Sequence, residues 1–405
     1  MKILVVGGGS GGHVTPVIAV VREIWQQRPR AKIEFWTDKK YLKNVRKLAF
    51  ENDMTALRVR KISAGKLRRY TNFTFVTYLQ HFDVVLRNVA DFFRIVLGLL
   101  QSFWRLWRKT ERPDVIFLKG GYVCLPVGLV ARVLRIPYVI HDSDAVPGLT
   151  NRMLSKHATK IATGMPLKYY NYPEDKAVWT GIPINNEFHP ASESRQRAYK
   201  KELGFAADEL LLVVTGGSLG AEHINLAVAE ILPELLKITN VLLVAGRERY
   251  PEMLDLKEYE KWEEGELKSG FRMLEFSAEM WKLFGAADVV VSRAGASTMT
   301  ELSSMAKAVI MVPNYKLPGY HQVKNAETYA EEKAALVVGD EEMHQDAQVL
   351  LKAIRSLIKN EQKRAQLAEN LRKFSKEHAA KNLADIVLDV AAKVTADAAN
   401  GAGRG

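Results

Sequence analysis

The chain opens with a strand that runs straight into glycine: Ile3-Leu4-Val5-Val6-Gly7-Gly8-Gly9-Ser10-Gly11-Gly12-His13. A short unbroken apolar run is the pattern of a parallel strand buried on both faces. Val14, Val17, Ile18 and Val21 then recur at helical spacing. Strand, glycine turn and helix in that order confine this part of the chain to a βα unit. Glycine lets the backbone turn tightly and lets a ligand come close to it. The following helix offers unpaired N–H groups and the positive end of its dipole to an anion. The turn is therefore a candidate phosphate- or sugar-facing site. His13 stands at its lip, as a group that titrates near neutral pH.

The spacing alone leaves two readings open. Gly7, Gly9 and Gly12 satisfy the dinucleotide fingerprint, and Asp38 follows a second strand, Ile33–Trp36, where a ribose-binding acid would sit. That is the dehydrogenase reading. Against it, the turn holds more glycine than the fingerprint needs and ends in histidine. A second set of glycine-bearing turns also lies in the other half of the chain.

Strand-like runs alternate with helix-like segments throughout. They are Ile3–Val6, Ile33–Trp36, Val115–Leu118, Tyr138–Ile140 and Lys160–Ala162, then Leu211–Val214, Val241–Val244, Asp288–Val291 and Val309–Val312. This pattern predicts an α/β protein of two doubly wound, Rossmann-like domains facing a cleft. The Gly, Pro and Asn residues of Thr180-Gly181-Ile182-Pro183-Ile184-Asn185-Asn186 mark the break. The expected organisation is a first domain over 1–183 and a second over 184–375. A helical stretch over 376–394 would return to the first domain, and an Ala- and Gly-rich tail over 395–405 would be disordered.

At 405 residues the chain is long enough for two cores. The single cysteine, Cys124, excludes an internal disulfide and reads as apolar packing. No charged leader precedes a long apolar core, so a signal peptide is not expected. A formal net charge of +12 suits an anionic partner. Without zinc-finger spacing, an RNA-binding signature or a Lys/Arg block, nucleic acid is not the partner expected.

The stretch from Phe73 to Trp107 is dense in rings and aliphatics and is interrupted by Arg87, Arg94 and Arg105. Its apolar run Ile95–Leu100 is far short of the ~20 residues that span a bilayer. One reading is an interfacial helix pair on an anionic membrane, with Phe73, Phe75, Leu79 and Phe82 in the acyl boundary. The other is a pair of core helices with a solvated basic face.

Other turns also follow strands. Gly216-Gly217-Ser218-Leu219-Gly220-Ala221 is a second anion-friendly turn. In Ser292 to Glu301, bare N–H groups suit a diphosphate and Glu301 suits a ribose diol, although Thr298-Met299-Thr300-Glu301 is equally a capping box. His321, Gln322 and Asn325 are neutral groups suited to sugar hydroxyls. Gly120-Gly121-Tyr122 and His141-Asp142-Ser143-Asp144 follow strands of the first half, and a carboxylate beside histidines suits proton abstraction from an alcohol. Turn chemistry alone explains the same residues.

Taken in order over roughly residues 1–375, these motifs resemble the MurG family of peptidoglycan N-acetylglucosaminyltransferases. The matching segments are Gly8–His13, Ile62-Ser63, Gly120–Val123, His141-Asp142 with Gly148–Asn151, Gly216–Ala221, Ser292–Glu301, and His321-Gln322 with Asn325. The resemblance implies a GT-B glycosyltransferase that moves GlcNAc from UDP-GlcNAc, with inversion, to the 4-hydroxyl of lipid-linked MurNAc-pentapeptide. It implies no obligatory metal and a peripheral place on the cytoplasmic face of a bacterial membrane. The sugar-nucleotide positions it implies are Ser10, Gly11, Gly12, Ser218, Ser277, Arg293, Ala296, Ser297, Thr298, Met299, Thr300, Glu301, His321, Gln322 and Asn325. The acceptor positions are Gly9, Gly120, Gly121, Tyr122, Asp144 and Asn185. His13 is the first choice of base, with His141 and Asp142 behind it. The chain departs from the family pattern at Asp142, Ser143 and Asp144, where Glu, Gln and Asn are usual, and at Asn185, Ser277 and His321. Two alternatives stay open: a related transferase using another lipid acceptor, and a non-catalytic nucleotide-sugar or dinucleotide-binding protein.

Overall fold

The computed structural model describes residues 1–66, 82–256 and 270–402. The chain divides into two compact units, Met1–Ile184 with Lys376–Gly405, and Asn185–Ser375.

In the first unit the strands are β1 (Lys2–Val6), β2 (Lys32–Thr37), β3 (Arg58–Lys61), β4 (Val115–Leu118), β5 (Tyr138–Asp142), β6 (Lys160–Thr163) and β7 (Ala177–Trp179). They form one parallel sheet in the order β3-β2-β1-β4-β5-β6-β7, with Val5 in register with Phe35 and Phe117. Alternate residues feed two apolar layers. Ile3, Val5, Phe35 and Phe117 pack on the helices Thr15–Gln27 and Leu42–Glu51. Leu4, Val6, Ile116 and Leu118 pack on Cys124–Val133 and on Leu106. Cys124 is buried against the Val6 and Gly120 carbonyls, and burial pushes its thiol up to about 12.

The chain end belongs to this unit. Leu383, Ala384, Val387, Leu388 and Ala391 of the helix Ala379–Ala402 join the layer under Thr15–Gln27. The return passes over Gly181, whose φ is +78° and where a Cβ would fall 2.6 Å from that of Lys376. The tail that was expected to be disordered from Thr395 continues the helix as far as Ala402. Its alanines, Ala396, Ala398, Ala399 and Ala402, are the strongest helix formers and carry the helix past Thr395.

The second unit holds β8 (Leu211–Thr215), β9 (Asn240–Val244), β10 (Phe271–Leu274), β11 (Val289–Ser292), β12 (Ala308–Met311) and β13 (Leu336–Val337). They are parallel in the order β10-β9-β8-β11-β12-β13. In each sheet the order reverses once, between β1 and β4 and between β8 and β11. Open α/β sheets bind ligands at such a switch point, beyond the carboxyl ends of the strands.

Candidate active site

Every turn singled out in the sequence leaves the carboxyl end of a strand. In the first unit, Gly7 to His13 follow β1, Lys119 to Tyr122 follow β4, and Ser143 to Gly148 follow β5. The β1 turn closes as a short 3-10 turn, Gly11–His13, before the helix Thr15–Gln27. His13 Nδ1 lies 3.0 Å from Ser10 Oγ. The His13 ring stands over Gly121, where a Cβ would approach it to 3.1 Å. A Cβ would crowd the ring, and the φ of +77° itself favours glycine.

Asp38 is not poised for a ribose. It accepts from Tyr122 Oη at 2.8 Å and from the Gly9 N–H at 3.4 Å, and it is buried. That pairing answers the dinucleotide reading. It also changes the role expected of Tyr122 and Gly9, whose expected acceptor contacts give way to fixing the glycine turn.

His141 and Asp142 are corrected as candidate bases. His141 is fully buried, and its Nε2 donates to the Gly181 carbonyl at 2.9 Å. Burial and the neighbouring Lys119 hold it well below the usual histidine range, so it stays neutral. The Asp142 carboxylate accepts from Asn151 Nδ2 at 2.7 Å, from the Gly148 N–H at 3.3 Å and from Tyr172 Oη. Burial raises its pKa while those bonds pull it down. Asp142 is committed to holding the segment after β5, and His141 to holding the turn after β7. Asp144 is partly exposed at the rim of that loop, and its carbonyl accepts from Tyr170 Oη at 2.8 Å. Lys119, which the sequence reading passed over, is almost wholly buried and donates to Ser143 Oγ.

In the second unit the turns after β8, β9, β10, β11 and β12 share one edge. Gly217 and Gly220 have φ of +89° and +91°, and Ser218 between them is exposed. The helix Ala296–Ser304 follows β11 with Gly295 at its N-cap and no side-chain cap. The capping box is therefore not formed. Among the described residues the Glu301 carboxylate has no hydrogen-bond or ion-pair partner, and desolvation pushes it up to about 8. Ala296, Ser297 and Thr298 present the uncapped turn and are partly exposed.

Four expected contacts become supports. Met299 is core, and Thr300 Oγ1 turns back to the Ala296 carbonyl. Asn325 is buried and its Nδ2 donates to the Ala294 carbonyl at 3.0 Å, which fixes the turn. Arg293 pairs with buried Asp340 at 2.6 Å and donates to the Val312 carbonyl at 3.1 Å. Asp340 also meets His223 at 3.3 Å, and the His223 ring stacks on His344 at 4.0 Å.

Gln322 Oε1 accepts from the Asn314 N–H at 2.9 Å, and its Nε2 has no partner among the described residues. His321 Nδ1 is buried without a hydrogen-bond partner. Ser277 Oγ accepts from the Glu279 N–H at 3.1 Å beside Phe276, whose ring carries Arg247 at 3.9 Å. Asn185 Nδ2 donates to Glu187 at 2.8 Å. Among the described residues no group of three or more His, Cys, Asp or Glu side chains is placed to share a metal ion.

The helix Phe82–Trp107 exposes Leu86, Val89, Phe93, Leu97, Leu100, Trp104 and Trp107. Steps of three and four residues put all seven on one face. Asp91, Ser102 and Leu106 are buried on other faces. Among the described residues no helix is long and apolar enough to cross a membrane. Phe73, Phe75, Leu79 and the Phe82 side chain lie outside the described residues.

Comparisons with known proteins give the family and the fold. Residues 3–163 match the glycosyltransferase family 28 N-terminal domain, and residues 211–383 match the glycosyltransferase family 28 C-terminal domain. A protein of Lachnospira eligens, named UDP-N-acetylglucosamine--N-acetylmuramyl-(pentapeptide) pyrophosphoryl-undecaprenol N-acetylglucosamine transferase, is 33% identical over 96% of this chain and 99% of its own. A Clostridium kluyveri protein of the same name is 34% identical over 84% of this chain and 87% of its own. The crystal structure of Acinetobacter baumannii MurG superposes with a TM-score of 0.71 at 25% identity, covering 96% of this chain and 99% of that one. The chain is a glycosyltransferase of the GT-B fold and belongs to the MurG family.

Proposed function

We propose that the chain transfers GlcNAc from UDP-GlcNAc to the 4-hydroxyl of lipid-linked MurNAc-pentapeptide, giving lipid II. The observation that carries the UDP-GlcNAc half is Glu301. An unpaired carboxylate beside an uncapped helix N-terminus is suited to accept from a ribose diol while the N–H groups meet the diphosphate. Gln322 Nε2 is available to a sugar hydroxyl. The Ser218 turn adds further donors, and Arg293, Asp340 and Asn325 hold the constellation still.

In the first unit the turn Gly9–Gly12 takes the acceptor's diphosphate, and His13 is the base. Ser10 Oγ, 3.0 Å from Nδ1, steadies the ring, and the neutral imidazole takes the proton of the sugar hydroxyl on a ring nitrogen. The hydroxyl oxygen attacks the anomeric carbon, the bond to the diphosphate breaks, and configuration inverts. Charge on departing UDP is met by the N–H groups at Ala296 to Thr298.

The acceptor lives in a bilayer, and the apolar stripe of Phe82–Trp107 lies at its surface. This makes the protein peripheral on the cytoplasmic face, where UDP-GlcNAc is made.

The test is transfer of labelled GlcNAc to lipid I in detergent, with UDP release followed in parallel. Labelled lipid II with stoichiometric UDP supports the reading. UDP-GlcNAc binding without transfer to lipid I overturns the acceptor assignment.

A further inference from the structure

Lys119 follows β4, and the Gly120-Gly121 turn that carries His13 on its far side comes next. It is 1% exposed. A buried ammonium is costly unless it is well paired, and it has three hydrogens to place. Among the described residues Lys119 Nζ has one hydrogen-bond partner, Ser143 Oγ. Ser143 has no other hydroxyl partner among the described residues and, unlike Lys119, is partly exposed. An ammonium can only donate, so Ser143 Oγ must accept. Its own proton is then free to point away from Lys119. The lysine also polarises that O–H and makes it a better donor.

We propose that Lys119 is a positioning residue for the acceptor: its ammonium turns the Ser143 hydroxyl outward to donate to the N-acyl carbonyl oxygen of the acceptor sugar. The proposal rests on the reading of the first unit as the acceptor's. A phosphate is the poorer partner at this point. Asp142 and Asp144 both act on Lys119, so its charge is already answered inside the fold and only the Ser143 O–H is offered outward. A neutral carbonyl accepts from that O–H.

The arrangement is also self-reversing. The groups facing Lys119 are Asp142, Asp144, the protonated Cys124 thiol and neutral His141. Burial brings the amine down to about 8 against the pull of the two carboxylates. Once neutral, the amine can accept from Ser143. The serine proton then turns inward, and the outward donor is lost.

The experiment uses the full chain with UDP-GlcNAc saturating. The acceptors are a short-chain lipid I and the same molecule with the MurNAc acetamide replaced by a free amine. S143A should lower kcat/KM for the acetylated acceptor by roughly 10- to 100-fold, the range of a charge-assisted hydrogen bond. It should also erase the preference for the acetylated acceptor while leaving UDP affinity within about twofold. K119M should lose as much, and the double variant no more than the worse single, since the two act as one relay. In the wild type the acceptor kcat/KM should fall above about pH 8, and K119M should lack that limb. S143A with unchanged kcat/KM, or with the acetyl preference intact, overturns the proposal, and so do additive losses. If K119M does not fold, S143A and the wild-type pH limb decide. Wild-type protein inactive on both acceptors overturns the functional reading as well. An active wild type with an unaltered S143A overturns this proposal alone.

Discussion

Two residues are assigned the chemistry in the proposed reaction, Glu301 and His13, and the first has a pH signature of its own. Glu301 must be ionised to accept from a ribose diol, yet burial pushes its carboxyl up to about 8. UDP-GlcNAc affinity should therefore rise with pH up to about 8 and then level off. Glu301→Gln should remove that dependence and weaken binding by roughly 10- to 100-fold. Stability should move the other way. A carboxyl whose pKa is raised in the folded state stabilises most below its unfolded value near 4.5, and that contribution is lost as pH rises through 8. At pH 8 the Gln variant should melt higher than the wild type without ligand. A lower melting point with unchanged UDP affinity would return Glu301 to a structural role. His13→Ala should cut kcat by about 100-fold or more, with UDP affinity unaltered. Near-normal kcat would remove it as the base. The turn that bears His13 was legible, because an unbroken apolar strand running into glycine marks a βα turn. Lys119 was not: a lysine after an apolar strand reads as a solvated end, and only the fold shows it enclosed.

At the scale of elements, the βα units were readable because strands buried on both faces are unbroken apolar runs. The strands Arg58–Lys61 and Phe271–Leu274 were not, since each is interrupted by arginine and lies at a sheet edge. The supporting contacts of Arg293 and Asn325 were not legible for a related reason. A polar residue in a ligand-facing motif looks the same in sequence whether it meets the ligand or the next turn. Arg293 and Asp340 form a buried pair, and removing one partner leaves the other charge unmatched. Asp340→Ala should cost about 3–5 kcal/mol in urea unfolding and raise the KM for UDP-GlcNAc. A loss below 1 kcal/mol would mean that the pair does not hold the turn. The helix Phe82–Trp107 resolves the choice between core and surface for its own exposed stripe. Replacing Phe93, Leu97 and Trp104 by Ser should abolish flotation with anionic vesicles and leave UDP affinity intact. Loss of soluble folded protein would instead mark those side chains as core.

For the whole molecule, the division is two sheets stitched by a chain that crosses out of the first unit and returns to it. The last helix packs under Thr15–Gln27, so the first unit is completed only when the end of the chain is in place. The second unit contains its sheet and its helices within Asn185–Ser375. Deleting residues after Ser375 removes Leu383, Ala384, Val387, Leu388 and Ala391 from the first core. Burial of a Leu or Val side chain is worth about 1.5–3 kcal/mol, so the loss exceeds what a domain of this size can spare. The truncated chain should lose the first unit's calorimetric transition and keep the second's. UDP at about 100 times its Kd should add about 2.7 kcal/mol to the surviving unit, a rise of roughly 5–10 °C in Tm. In the full chain the same UDP should raise the transition of the second unit by the same amount. A truncated chain that keeps both transitions would mean that the returning helix is dispensable. A UDP-induced shift confined to the first unit's transition would place the sugar nucleotide on the wrong sheet and remove Glu301 from its role.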